Sequence, residues 1–113
     1  MAVYLKRVYE APAKGDGRRI LVDRLWPRGI SKEKAELFLW LKEVAPTPEL
    51  RKWFNHEPEK WQEFRKRYKK ELESSNAFLE LKKLAKEGNI SLIYAARDTE
   101  HNEALVLKEQ LEL

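Results

Sequence analysis

Residues 20–29 read Ile20-Leu21-Val22-Asp23-Arg24-Leu25-Trp26-Pro27-Arg28-Gly29, and the change of character inside that stretch decides the fold class. Three apolar residues, two of them β-branched, stand between Arg18-Arg19 and Asp23-Arg24. A run this short, with no polar alternation, fits a strand covered on both faces, as in a parallel sheet. Trp26-Pro27-Arg28-Gly29 then makes an irregular turn beyond its carboxyl end. In open α/β sheets that is where ligands bind.

The pattern extends outward in both directions. Residues 90–95 give a second apolar run, and residues 2–9 alternate loosely, with Val3, Leu5 and Tyr9 on one face and Tyr4 and Val8 on the other. Both are read as strands. Residues 37–41 suit a strand or a buried helix turn and are taken as a strand because the run is short and continuous. Helix signals fall between these runs. Ser31 caps a short helix through Lys34 and Ala35. Thr47-Pro48-Glu49 supplies a hydroxyl cap, a proline at the first helical position and an acid in the first turn. Glu57-Pro58 starts another helix, along which Trp61, Phe64, Tyr68 and Leu72 form one stripe. Ser74-Ser75-Asn76 opens a helix carrying Phe78, Leu81, Leu84 and Ala85, with Gly88 expected as a left-handed C-cap. Asp98 or Thr99 is expected to cap the last helix, with Ala104, Leu107 and Leu111 inward. The expectation is a single-domain α/β protein, residues 1–113, with a small, mostly parallel sheet of about four strands flanked by helices. The strand ends after Val22 and Ala95 should share one edge.

Composition narrows the chemistry. The chain has 113 residues, 42% hydrophobic and 37% charged, enough to bury one core and too apolar for a disordered polymer. No stretch approaches the roughly 18 apolar residues of a membrane span. Zero cysteines remove disulfides, a thiolate nucleophile and Cys-based zinc sites, and two histidines argue against a dedicated transition-metal site. Neither a glycine-rich phosphate cradle nor a serine elbow is present, so no cofactor is implied. Acid–base, arginine and carboxylate chemistry is what remains. Abundant Lys and Glu with one Met and only Gln62 and Gln110 suits a thermophile.

Three constellations could use that chemistry. Arg24 and Arg28 offer forked donors to phosphate or carboxylate oxygens, with Trp26 to exclude water; the alternative is a structural ion pair between Asp23 and an arginine. His56 lies in a link between helices and can act as acid, base or donor, with Arg67 as a supporting charge and Tyr68 beside it. Asp98 and Asn102 are spaced to face one crevice, Asp98 as a proton-transfer group with His56 and Asn102 orienting a ligand. His101, in the same turn, is read as solvent-facing. The leading expectation is a pocket that binds, and could act on, a small anionic or phosphate-bearing ligand. The alternative comes from residues 51–70, where eight Lys/Arg face three acids within a net charge of +4. There Lys60, Arg65, Lys66, Lys69 and Lys70 would contact nucleic-acid phosphates, or simply solvate a helix face.

Three stretches carry a family likeness: Asp23-Arg24-Leu25-Trp26-Pro27-Arg28-Gly29; Leu50-Arg51-Lys52-Trp53-Phe54-Asn55-His56-Glu57-Pro58 with Trp61, Phe64, Arg67 and Tyr68; and Leu92-Ile93-Tyr94-Ala95-Ala96-Arg97-Asp98 with Asn102 and Ala104. In these the sequence resembles the YeaO-like family of small bacterial and archaeal proteins, a domain of unknown function. Glu57 departs from the aspartate cap expected there. The resemblance implies a cytoplasmic single-domain α/β protein and assigns no substrate or catalytic residue.

Overall fold

The computed structural model describes residues 2–113, with Met1 outside the described residues. Four strands, β1 (Val3–Arg7), β2 (Arg18–Leu21), β3 (Leu39–Trp40) and β4 (Ile90–Tyr94), form one sheet in the order β1-β4-β2-β3, every pair parallel. Five α-helices flank it: α1 (Lys32–Ala35), α2 (Pro48–Phe54), α3 (Trp61–Leu72), α4 (Asn76–Glu87) and α5 (Glu103–Leu111). The α/β class, the parallel sheet and the strand within residues 37–41 are as expected. Ile20, Leu21 and Val22 are inaccessible to solvent, and β4, between β1 and β2, is buried along its whole length. Both faces of the central strands meet side chains, which is why neither segment alternates in sequence.

The two faces carry unequal cores. Register aligns Leu5, Leu92, Ile20 and Leu39 across the sheet. All four join the larger core, where Phe54, Phe64, Tyr68, Leu81 and Leu107 arrive from α2 to α5. The other face is thin, built on Val8, Leu21, Ala35 and Ile93. Polar groups complete it. Buried Arg19 donates to Asp16 Oδ2 at 2.7 Å and to the Ala35 carbonyl at 3.0 Å, while Lys6 donates to Asp16 Oδ1 at 3.0 Å. The Ser91 hydroxyl donates to the Asp16 carbonyl at 2.7 Å. Burial opposes ionisation of Asp16, but hydrogen bonds from the Ala13 N–H, Lys6 and Arg19 outweigh it and hold the carboxyl below its ordinary range. Gly17, at φ 66°, lets this turn close: a Cβ there would collide with the Asn89 carbonyl, which accepts the Arg18 N–H.

Local capping signals read true. Ser31, Thr47 and Ser75 each accept a backbone N–H, from Lys34, Leu50 and Phe78 respectively. Pro58 opens a short 3-10 turn that leads into α3. Two helix ends differ from expectation. Gly88 is extended (φ 161°) rather than left-handed, because the chain runs straight on into β4. Helix α5 is capped by Asn102, whose Oδ1 accepts the Leu105 N–H at 3.2 Å, and not by Asp98 or Thr99. Asp98 instead accepts the N–H groups of Glu100 and His101, closing a turn that delays the helix.

Candidate functional site

Beyond the carboxyl ends of β2 and β4, the two exit loops and the end of α2 border a recess of about 600 Å³. Leu25, Trp26, Pro27, Phe54 and Phe64 give it apolar walls. Trp26 is fixed there: its indole N–H donates to the Ile30 carbonyl at 2.7 Å, and its ring meets Trp40 edge-on. Arg24 is half-buried, with Nε and Nη2 donating to the carbonyls of Ala45 and Pro46 at 3.3 to 3.4 Å. Those bonds tie the β2 exit loop to the segment leading into α2. Arg28 lies exposed at the mouth, anchored through its carbonyl, which accepts the Tyr9 hydroxyl at 3.1 Å.

His56 reaches the same recess by an unusual backbone route. Asn55 and His56 both have positive φ, 47° and 54°, which turns the chain sharply after α2. Asparagine tolerates that region and histidine does so less readily, so the turn is held by its surroundings. Asp98 also borders the recess, accepting His101 Nδ1 at 2.9 Å. The Glu100 N–H first, and then His101, hold the Asp98 carboxyl below its usual range. His101 is therefore not solvent-facing: it is half-buried, edge-on to Trp61, and part of the recess lining. Asn102 is buried, and both ends of its amide are occupied, donating to the Asp98 carbonyl at 2.9 Å and capping α5.

The structure thus brings Arg24, Trp26, Arg28, His56, Asp98 and Asn102 to one recess, and leaves Arg67 and Tyr68 out of it. Arg67 lies over the Trp53 ring at 4.2 Å and pairs with Glu63 at 3.0 Å on the outer face of α3. Tyr68 is fully buried and donates its hydroxyl to the Val44 carbonyl at 2.6 Å. Burial first, and then nearby Glu103 and Glu71, push its phenol well above the ordinary value. It is a core residue.

Besides His101, the lining includes polar side chains that sequence reasoning did not assign to a site, among them Asp23, Arg51, Arg97 and Glu103. Asp23 Oδ2 accepts the Ala95 N–H at 2.9 Å and the Asp23 carbonyl accepts the Trp40 indole N–H at 2.7 Å, so this residue joins the two strand exits. It forms no ion pair with an arginine, which answers the structural alternative. Glu103, half-buried at the start of α5, lines the same recess as Asp23. Burial, and next the Asp23 charge, push the Glu103 carboxyl well above its ordinary range. An acid in the first turn of a helix was visible in the sequence, but it signals only a favourable helix end.

Outside the recess, four of the five arginines are ion-paired, and Arg7 instead donates to the Ala95 and Ala96 carbonyls. Arg18, Arg19, Arg65 and Arg67 are paired with Glu87, Asp16, Glu109 and Glu63. Among the described residues, Arg24, Arg28, Arg51 and Arg97 have no ion-pair partner. In the basic stretch, Lys60 and Arg65 are likewise neutralised, by Glu57 and Glu109, leaving Lys66, Lys69 and Lys70 exposed. No group of three or more metal-ligating side chains occurs among the described residues. None of their helices is long and apolar enough to cross a membrane.

A family model described as the inactive DUF488-N3 subclade matches residues 2–113. An uncharacterized protein of Mycobacterium tuberculosis is 43% identical over 109 residues, 96% of this chain and 92% of that protein. The uncharacterized protein YeaO of Escherichia coli is 44% identical over 112 residues, 98% of this chain and 97% of its own. No solved structure matches the chain.

Proposed function

The chain belongs to the YeaO-like proteins of the DUF488 family, in the subclade described as inactive, and on that footing we propose that it binds a small anionic or phosphate-bearing molecule in the recess at the strand carboxyl ends. The observation that carries this reading is the absence of any carboxylate partner for the four arginines of the lining. Arg24 is half-buried beside the apolar walls, and Arg28, Arg51 and Arg97 are exposed around it, so an entering anion would meet guanidinium groups that no carboxylate already holds. Arg24, fixed by the Ala45 and Pro46 carbonyls, keeps Nη1 for a ligand. Arg28 reaches over the mouth, with Arg51 and Arg97 flanking. Trp26 and Phe54 exclude water and so strengthen those contacts. Asp98 orients His101, His56 adds a hydrogen bond at the mouth, and Asn102 holds the loop in shape. Binding without turnover accords with the description of the subclade; should the recess act on its ligand, His56 and Asp98 are our candidates for proton exchange.

The test is a thermal-shift screen of inorganic phosphate, adenosine monophosphate, glucose 6-phosphate and citrate, since a ligand of the native state raises Tm by mass action. Arg28→Ala removes a side chain that makes no hydrogen bond or ion pair. It should weaken a hit about tenfold or more, because a hydrogen bond to a charged group contributes about 1.5–3 kcal/mol. No shift with any of these anions, or a shift kept in both Arg28→Ala and Arg97→Ala, overturns the reading. Salt-sensitive binding of mixed DNA that ignores Arg28 would instead indicate Lys66, Lys69 and Lys70.

A further inference from the structure

Rings and apolar side chains, as well as arginines, face the recess. Two of the large apolar side chains left open to solvent, Leu25 at 60% exposed and Tyr9 at 46%, stand at its rim. Both are set beside Arg28: Leu25 precedes it in the same loop, and the Tyr9 hydroxyl donates to the Arg28 carbonyl at 3.1 Å. Tyr9 is held further by Arg7, whose guanidinium lies 5.0 Å from the ring centre. Behind the rim the wall is again aromatic and again fixed. Trp26 is tied through its indole N–H, and the Phe54 and Phe64 rings stack with centroids 4.4 Å apart and planes 25° from parallel. Rings that are already locked need little further ordering when a ligand covers them.

The polar groups tell against a sugar. Among the described lining residues Asn102 is the one carboxamide, and both of its ends are used within the fold. The Asp98 carboxyl accepts the Glu100 and His101 N–H groups and His101 Nδ1. What stays open is chiefly guanidinium, which suits an anionic head better than a neutral hydroxyl. A hydroxyl-rich ligand would turn some of its hydroxyls onto the rings and leave them unpaired, which is unfavourable. The face and edge of an aromatic ring suit the same walls. At about 600 Å³ the recess falls among the pockets of roughly 300–1,000 Å³ that take whole organic molecules, and an inorganic anion would leave most of it unfilled.

We propose that the recess takes hydroxyl-poor aromatic anions, with the ring against Leu25, Tyr9 and Trp26 and the phosphate or carboxylate on the arginines. This rests on the anion-binding reading above and names its ligand class.

Calorimetric titration of the full chain near pH 8 compares phenyl phosphate with ethyl phosphate and with glucose 6-phosphate, and 3-phenylpropionate with butyrate. Head group and charge are the same within each comparison, so the difference reads the carbon part. The aromatic member should bind about tenfold more tightly or better in whichever series, phosphate or carboxylate, the arginines accept. Leu25→Ala should cut that ratio about threefold or more, and a side chain this exposed can be shortened without disturbing the core. Arg28→Ala should weaken both members of a pair alike. Nuclear Overhauser contacts should run from the ring protons of the ligand to Leu25 or Trp26. Equal binding within both series overturns the aromatic class while the anion site stands, and so does glucose 6-phosphate binding as tightly as phenyl phosphate. A full ratio in Leu25→Ala, with no contact from the ring protons to Leu25 or Trp26, puts the ring elsewhere and overturns it too. If none of these ligands binds, the anion reading itself fails and takes this inference with it.

Discussion

Arg19 sits inside β2 with its guanidinium closed on Asp16 and the Ala35 carbonyl, whereas Arg24, just past the end of the same strand, faces a recess and meets no carboxylate. The contrast extends to their acids. Asp16 is surrounded by donors, and among its buried neighbours only Arg19 Nη2 lacks a partner. Asp23, by contrast, shares its site with another carboxyl. On the thin face of the sheet, charge substitutes for apolar packing and is used up within the fold. At the carboxyl edge, the arginines of the recess lining are left without carboxylate partners.

The largest expected effect is at the closed end. Asp16→Ala strips the counter-charge from buried Arg19 and should lower stability by about 3–5 kcal/mol in urea denaturation. Arg28→Ala at the open end should stay within about 0.5 kcal/mol of wild type. Similar losses for both would erase the contrast. Next, the two regions should titrate in opposite senses. The carboxyl of Asp16 is depressed in the fold, so its contribution is present above the ordinary aspartate range and is lost as pH falls through its folded value. That of Glu103 is raised, so its contribution is present below the ordinary glutamate range and is lost as pH rises through its folded value. Glu103→Gln should therefore gain on wild type as pH increases, and Asp16→Asn should flatten the acid limb. Urea midpoints across the pH range read both, and a Glu103→Gln curve parallel to wild type would show that Glu103 holds no extra proton. The smallest effect is at His56, where Gly relieves a positive φ and should stabilise by at most about 1 kcal/mol. A net loss there would mean that the imidazole's packing near Phe54 outweighs the strain.

What could be read from the chain followed the range of the forces involved. Caps at Ser31, Thr47 and Ser75 are contacts between near neighbours, so a hydroxyl and its spacing suffice to find them. The cap of α5 was placed too early because Asp98 and Asn102 are both good caps, and only the turn closed by Asp98 decides between them. That Arg24, Arg28, His56 and Asp98 border one recess is legible because each lies in a loop next to a recognisable strand or helix end. Arg51 and Glu103 are not legible in that way, since each reads as an ordinary helical charge until the helix is rotated onto the sheet. Arg67 failed for the same reason in reverse: it belongs to the right helix and to its outer face.

Short β-branched runs, the proline and hydroxyl helix starts and the missing cysteines determined, from the sequence alone, a parallel α/β fold and the kinds of chemistry open to it. Which charges meet a partner was decided only by the tertiary structure. Pairing depends on a few ångströms between segments far apart in the chain: Asp23 reaches the Ala95 N–H and no arginine because β2 and β4 lie side by side. Spacing along a sequence carries no record of that distance.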